Sequence, residues 1–155
     1  MSKKTIWITG GSTGIGKALA IKFASKGWNV AISARRAELL NELSNSYENI
    51  SSFPLDVTDK EKCKEVFNEI KNKYENIDIC FFSTGTWDPK KEKDIDVDQM
   101  KKVMNVNFFG TLNCIKAVEK YFREKNSGHI SIVSSIAGYR GLPNSTGYGL
   151  SLIHI

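Results

Sequence analysis

Short apolar runs alternate along this chain with longer stretches whose apolar residues recur at helical spacing. Thr5 to Thr9 is a short β-rich run that ends on glycines. Gly16 to Lys26 then carries Ala18, Leu19, Ile21, Phe23 and Ala24 at the period of a helix, which Gly27 closes. Trp28 to Ala34 is predicted as a second strand, mostly apolar on both faces. Leu39, Leu40, Leu43 and Tyr47 mark a second amphipathic helix, and Ile50 to Leu55 a third strand. Thr58 and Glu61 stand at capping-box spacing and open a helix with Cys63, Val66, Phe67, Ile70 and Tyr74 on one side. Ile77 to Phe82 is a fourth strand whose one charge is Asp78. Val97 to Lys125 reads as one or two helices, with Met100, Val103, Met104, Phe108, Leu112, Ile115 and Phe122 as apolar positions. Gly128 introduces a fifth strand, Ile130 to Ser134.

Strands that alternate with helices and are apolar on both faces predict a parallel sheet covered on each side, a doubly wound α/β fold. Ligands of such folds bind at the carboxyl ends of the strands. At 155 residues the chain holds one domain with a core and is too short for two typical ones.

Composition narrows the function classes. The chain is 41% hydrophobic and 25% charged, as globular proteins are. No apolar run approaches the ~20 residues of a membrane span. Met1 to Lys4 leads into a short apolar stretch that meets glycines, unlike a signal peptide, so the expected location is cytoplasmic. The net charge of +5 raises the question of an acidic partner. The lysines are spread along polar helix faces, however, and acids interrupt the densest patch, residues 90–94, so a solvated surface is expected and not a nucleic-acid interface. Cys63, Cys80 and Cys114 are widely separated thiols of a reducing compartment. His129 has no neighbouring ligand in sequence and reads as a turn residue, so no metal site is expected. Trp7 and Trp28 are expected in the core; for Trp87 the border of a substrate pocket is the minor of two readings.

Candidate chemistry begins at Thr9-Gly10-Gly11-Ser12-Thr13-Gly14-Ile15-Gly16, between the first strand and the first helix. A turn without Cβ atoms lets backbone N–H groups approach a pyrophosphate, and the helix directs its positive end at that anion. Gly11 to Lys17 also has the opening spacing of a P-loop, but Ala18 stands where Ser or Thr would hold Mg²⁺. At the end of the second strand, NAD binders carry an acid for the ribose 2′-hydroxyl, whereas arginine accommodates a 2′-phosphate. Here Arg35 and Arg36 follow Ser33-Ala34 and no acid precedes Glu38, so NADP(H) is favoured over NAD(H).

Thr9-Gly10-x-x-x-Gly14-x-Gly16 resembles the signature of the classical short-chain dehydrogenases/reductases. Further residues match that family in order: Asp56-Val57, the pair beside the adenine; Asn107-x-x-Gly110, the asparagine motif; Ser134-Ser135; and Tyr148, 13 residues beyond Ser135. The resemblance implies a Rossmann-like parallel sheet with strand order 3-2-1-4-5 in the part present. It implies cofactor contacts from Gly10, Ser12, Gly14, Ile15, Gly16, Arg35, Arg36, Asp56, Val57, Ser83, Gly85 and Tyr148. It also implies hydride transfer between a nicotinamide and the carbonyl of a small molecule, with Tyr148 moving the proton on oxygen. Ser135 would bind the substrate oxygen, and Asn107 would hold a water of the proton relay. A homodimer or homotetramer is expected of the full-length protein.

Two departures stand out. Phe82-Ser83-Thr84-Gly85 replaces the family's Asn-Asn-Ala-Gly, leaving the second asparagine's contact to Ser83. Tyr148-Gly149-Leu150-Ser151-Leu152 lacks the lysine of Tyr-x-x-x-Lys, which in the family lowers the tyrosine's pKa from about 10. A non-catalytic dinucleotide-binding module therefore stays open as the alternative. Leu150 to Ile155 equals the translation of a transposase-based sequencing adapter's mosaic end. Residues 1–149 are accordingly expected to be an incomplete dinucleotide-binding domain and 150–155 a non-native tail. The tyrosine-bearing helix and the later strands are expected to be missing.

Overall fold

The computed structural model describes residues 3–88 and 95–153; the lysine-rich patch at 90–94 and the last two residues lie outside them. Five strands, β1 (Thr5–Thr9), β2 (Asn29–Ser33), β3 (Ile50–Ser52), β4 (Ile79–Phe82) and β5 (His129–Ile132), form one sheet in the order β3-β2-β1-β4-β5. All pairings are parallel, with Trp7 of β1 opposite Ala31 of β2 on one side and Cys80 of β4 on the other. This is the expected doubly wound, Rossmann-like arrangement.

Side chains of β1 alternate between two cores, which is why that strand reads as a continuous apolar run. Trp7 points to one side, among Phe82 and the residues Cys63, Val66, Phe67 and Ile70 of helix α3 (Lys60–Lys73). Cys114 and Val118 of helix α5 (Gly110–Lys125) complete that layer. Ile6 and Ile8 point to the other side, against Ala20 and Ala24 of α1 (Gly14–Ala24) and Leu40 and Leu43 of α2 (Ala37–Ser46). All three cysteines are free and buried. Burial raises the Cys80 thiol, and a hydrogen bond with Cys63 followed by burial raises that of Cys114.

Several boundaries differ from expectation for local reasons. β3 stops at Ser52, although Phe53 and Leu55 still donate to Ile32 and Ala34 of the neighbouring chain segment; Pro54 between them stands on the open edge of the sheet, where no N–H is needed. The expected capping box does not form. Asp59 is the N-cap of α3 and accepts from the Lys62 N–H at 2.9 Å, while the Thr58 hydroxyl donates to Asp56 at 2.8 Å. The stretch from Val97 to Lys125 divides into α4 (Val97–Met104), a π turn (Asn105–Phe109) and α5. Val103, Asn107, Gly110, Thr111, Cys114 and Val118 are its buried positions, whereas Leu112 and Phe109 face outward, at 43% and 51% exposure. Trp7 is fully buried as expected; Trp28 is half-buried, with its ring edge-on to Phe23.

The largest correction concerns the tyrosine-bearing helix, expected to be missing. Helix α6 (Thr146–Leu152) is formed, and its Ser151 and Leu152 are buried. Gly147 lets it close on α4, since a Cβ there would lie 3.1 Å from the Met100 side chain.

At the opposite end of the sheet, Tyr121 of α5 accepts from the buried Ile77 N–H at 3.0 Å and donates to Asn76 at 3.1 Å. Lys71 and Lys125 lie over its ring, 5.5 and 5.7 Å from the centroid. Tyr121→Phe keeps the ring but strands the buried Ile77 donor. It should cost about 1–3 kcal/mol, read as a lower urea midpoint at unchanged slope.

Candidate functional site

The site begins where β1 runs out. The chain turns at Gly10 with φ +72°, and a Cβ there would lie 2.8 Å from the Ser83 carbonyl oxygen at the end of β4. Any larger residue would drive the loop off the sheet. Gly14 opens α1 with φ +56°, and a Cβ on it would meet nothing within 4 Å. Space is therefore left over the first turn of α1. Thr13 makes no capping bond there and the first turn carries no acid, so no side chain of the cap or first turn competes for its N–H groups.

A cleft of about 640 Å³ opens over this loop. Gly10, Ser12, Gly14, Ile15 and Gly16 line it from the loop, Arg35 and Arg36 from the end of β2, Asp56 and Val57 from beyond β3, and Ser83 and Gly85 from beyond β4. All the cofactor positions expected from the sequence, other than Tyr148, thus share one cavity at the carboxyl ends of the strands. Thr13, Ala34, Leu55, Thr84 and Val106 also line it. Most of these adjoin expected residues in sequence; Val106 comes from the π turn, and its adjacency to Asn107 was the available signal.

The lining is organised by hydrogen bonds. The Arg36 guanidinium reaches across the rim to the Ser12 and Thr13 hydroxyls, at 3.4 and 3.2 Å. Arg35 is exposed and also faces an adjoining cavity of about 360 Å³ lined by Gln99 and Lys102. The Asp56 carboxylate accepts from the Thr58 backbone and hydroxyl. The Val57 carbonyl accepts from Asn113 at 2.9 Å and from the Cys63 thiol at 3.6 Å. Ser83 donates to the Thr9 carbonyl at 2.7 Å, tying the ends of β4 and β1 together while its lone pairs stay available. The Thr84 hydroxyl is buried without a partner. An uncapped helix start, an arginine pair, a carboxylate and an orphaned hydroxyl around one cleft fit a dinucleotide with its pyrophosphate at α1.

Asn107, Ser135 and Tyr148 lie outside the lining of that cleft. Asn107 is buried in the π turn, where its side chain accepts from the Thr86 N–H at 2.7 Å and donates to the Thr86 carbonyl at 3.0 Å. It also donates to the Ser151 hydroxyl, which donates in turn to the Tyr148 carbonyl. The amide thus joins the strand-end loop to α6. Ser135 accepts from the Ala137 N–H at 3.2 Å and begins a short 3-10 turn, Ile136–Gly138, which packs on α6. One of its two lone pairs is engaged and its O–H can donate. The Tyr148 ring stacks on Trp87, with centroids 5.3 Å apart and planes 25° apart, a contact that the sequence did not reveal. Leu152, one turn on, is buried and brings no charge. His129 is exposed and contacts Ser131. Among the described residues, no helix is long and apolar enough to cross a membrane.

The sequence model of the short chain dehydrogenase family matches residues 4–151. An uncharacterized oxidoreductase of Listeria monocytogenes is 34% identical over 154 residues, which cover 96% of this chain and 62% of that protein. The mouse protein called dehydrogenase/reductase SDR family member 7 is 29% identical, with 96% of this chain and 46% of that one covered. Among solved structures, ElxO with NADP bound superposes with a TM-score of 0.88 at 34% identity, over 99% of this chain and 63% of ElxO. The chain therefore spans less than two thirds of the length of these relatives. Because the match runs through every strand and reaches the tyrosine helix, and does not stop at a generic glycine turn, the chain belongs to the short-chain dehydrogenase/reductase family.

Proposed function

We propose that the protein carrying this chain is an NADP(H)-dependent oxidoreductase that interconverts a small-molecule carbonyl and the corresponding alcohol. Residues 1–149 are its dinucleotide-binding part, completed by sequence beyond that seen here, and its place of action is the cytoplasm. The carrying observation is the shared cleft, in which the glycine loop, Arg35, Arg36, Asp56 and Ser83 converge on one cavity.

The bound dinucleotide would supply or take up hydride at its nicotinamide ring. The first turn of α1 would hold its pyrophosphate with backbone N–H groups, and Asp56 and Val57 would border its adenine. Arg36, with Ser12 and Thr13, forms a ready set of donors for a 2′-phosphate, and Arg35 adds a second guanidinium. NADP in the related ElxO structure supports the same preference. Ser135 donates to the substrate oxygen, steadying charge as it develops, and Tyr148 gives or takes the proton there. Asn107 holds both backbone polar groups of Thr86, so its side chain acts here through position. The second reading, a dinucleotide-binding module without catalysis, is the one Leu152 would support if residues 150–155 belong to the natural sequence.

Three outcomes test this. Titration should show NADPH binding at least about tenfold tighter than NADH, as charge-assisted phosphate contacts of roughly 1.5–3 kcal/mol imply, and Arg35→Ala with Arg36→Ala should erase the difference. In the complete gene product, NADPH oxidation with a panel of ketones and aldehydes should fall about 10²–10⁴-fold in Tyr148→Phe while NADPH affinity is kept. Absence of turnover across the panel with NADPH binding intact would favour the non-catalytic module. Light scattering on that product should give a dimer or tetramer, since Ile95, Val97 and Phe109 line one apolar hollow at the surface that a monomer would leave in water.

A further inference from the structure

Trp87 is held in place with unusual thoroughness for an exposed residue. Both backbone polar groups of the preceding Thr86 are taken by the Asn107 side chain, at 2.7 and 3.0 Å, and Asn107 is itself buried. The indole N–H is directed at the Asn144 carbonyl, 3.4 Å away in the loop before α6. Its ring lies nearly parallel to that of Tyr148 at a centroid distance of 5.3 Å. A tryptophan that only filled space between the loop and α6 would be enclosed by them, yet 46% of this one is exposed. A firmly held, half-exposed aromatic surface therefore stands against the Tyr148 ring.

We infer that Trp87 determines substrate choice, forming an aromatic wall that favours carbonyl compounds bearing a flat aryl group over those bearing a saturated one. This rests on the reading of Tyr148 as the proton-transfer group. The stack covers one face of the phenol and leaves the remaining indole surface for a ligand. An aryl ring can lie offset or edge-on against that surface with its quadrupole matched to the indole's, whereas a puckered saturated ring offers contact area alone. The difference corresponds to an affinity ratio of about two- to tenfold at matched size. The fixed loop favours either ligand equally, because little side-chain freedom is lost on binding, and leaves the ratio to the ring contact.

The test compares acetophenone with cyclohexyl methyl ketone, which have the same number of heavy atoms, by NMR titration of this chain. The Trp87 indole N–H resonance is identified by its loss in Trp87→Phe. Acetophenone should shift that resonance in the unmodified chain and bind about two- to tenfold tighter than the saturated ketone. Trp87→Phe should keep the preference and Trp87→Leu should abolish it, with the remaining amide spectrum showing that each variant is folded. Equal affinities for the two ketones, binding of neither, or a preference that survives Trp87→Leu would overturn the inference. NADPH is titrated into the same samples. Failure of NADPH to bind the unmodified chain counts against the dinucleotide reading, and a ketone preference that follows Trp87 is scored separately from it.

Discussion

β1 has neither a free edge nor a free face. It pairs with β2 and β4 along both edges, and its two faces meet separate helical layers. Its five residues are almost completely removed from solvent, so even Thr5 and Thr9 are buried. A strand so enclosed has one way out, through its carboxyl end, and there the chain must turn sharply enough to begin a helix over the sheet. Gly10 and Gly14 meet that demand, Gly10 by letting the turn lie against the end of β4 and Gly14 by leaving the start of α1 open, and the cleft opens above the turn they make. Central burial and ligand site are thus two results of one placement.

Much of this was legible because its signals are local. Alternating cores on the two faces of β1 appear in sequence as an unbroken apolar run, and the glycine loop is a matter of neighbouring residues. The residues expected around the cofactor converge in space because each follows the end of a parallel strand, and strand ends are readable one at a time. The features that escaped depend on partners far along the chain. Asp59, and not Thr58, caps α3 because Asp56 already engages the Thr58 hydroxyl. Phe109 and Leu112 are as apolar as Val103 and Val118, yet they lie off the buried line of Val103, Asn107, Thr111, Cys114 and Val118 and face outward. The Trp87–Tyr148 stack joins residues on different elements, and no periodicity within either could announce it.

Asn107 shows how one amide can replace several weaker constraints. Its oxygen and nitrogen meet the two backbone groups of Thr86 as a β ladder would, without a strand being present. The remaining N–H reaches Ser151 and, through it, the first turn of α6. Such an arrangement in a buried place is costly to disturb, because removing the amide would leave several polar groups without partners at once. The π turn that carries Asn107 is what turns the side chain toward Thr86 in the midst of an otherwise regular helical stretch.

The Val57 carbonyl has a mechanical meaning for the cleft. Asn113 of α5 and Cys63 of α3 both hold it, while the Val57 side chain fills the space that Gly110 leaves open. One wall of the cavity is thereby fastened to two helices on the far side of the sheet from α1 and α2. The Cys63 that holds this carbonyl is also part of the buried layer around Trp7, so the cavity wall and that core layer belong to one close-packed body.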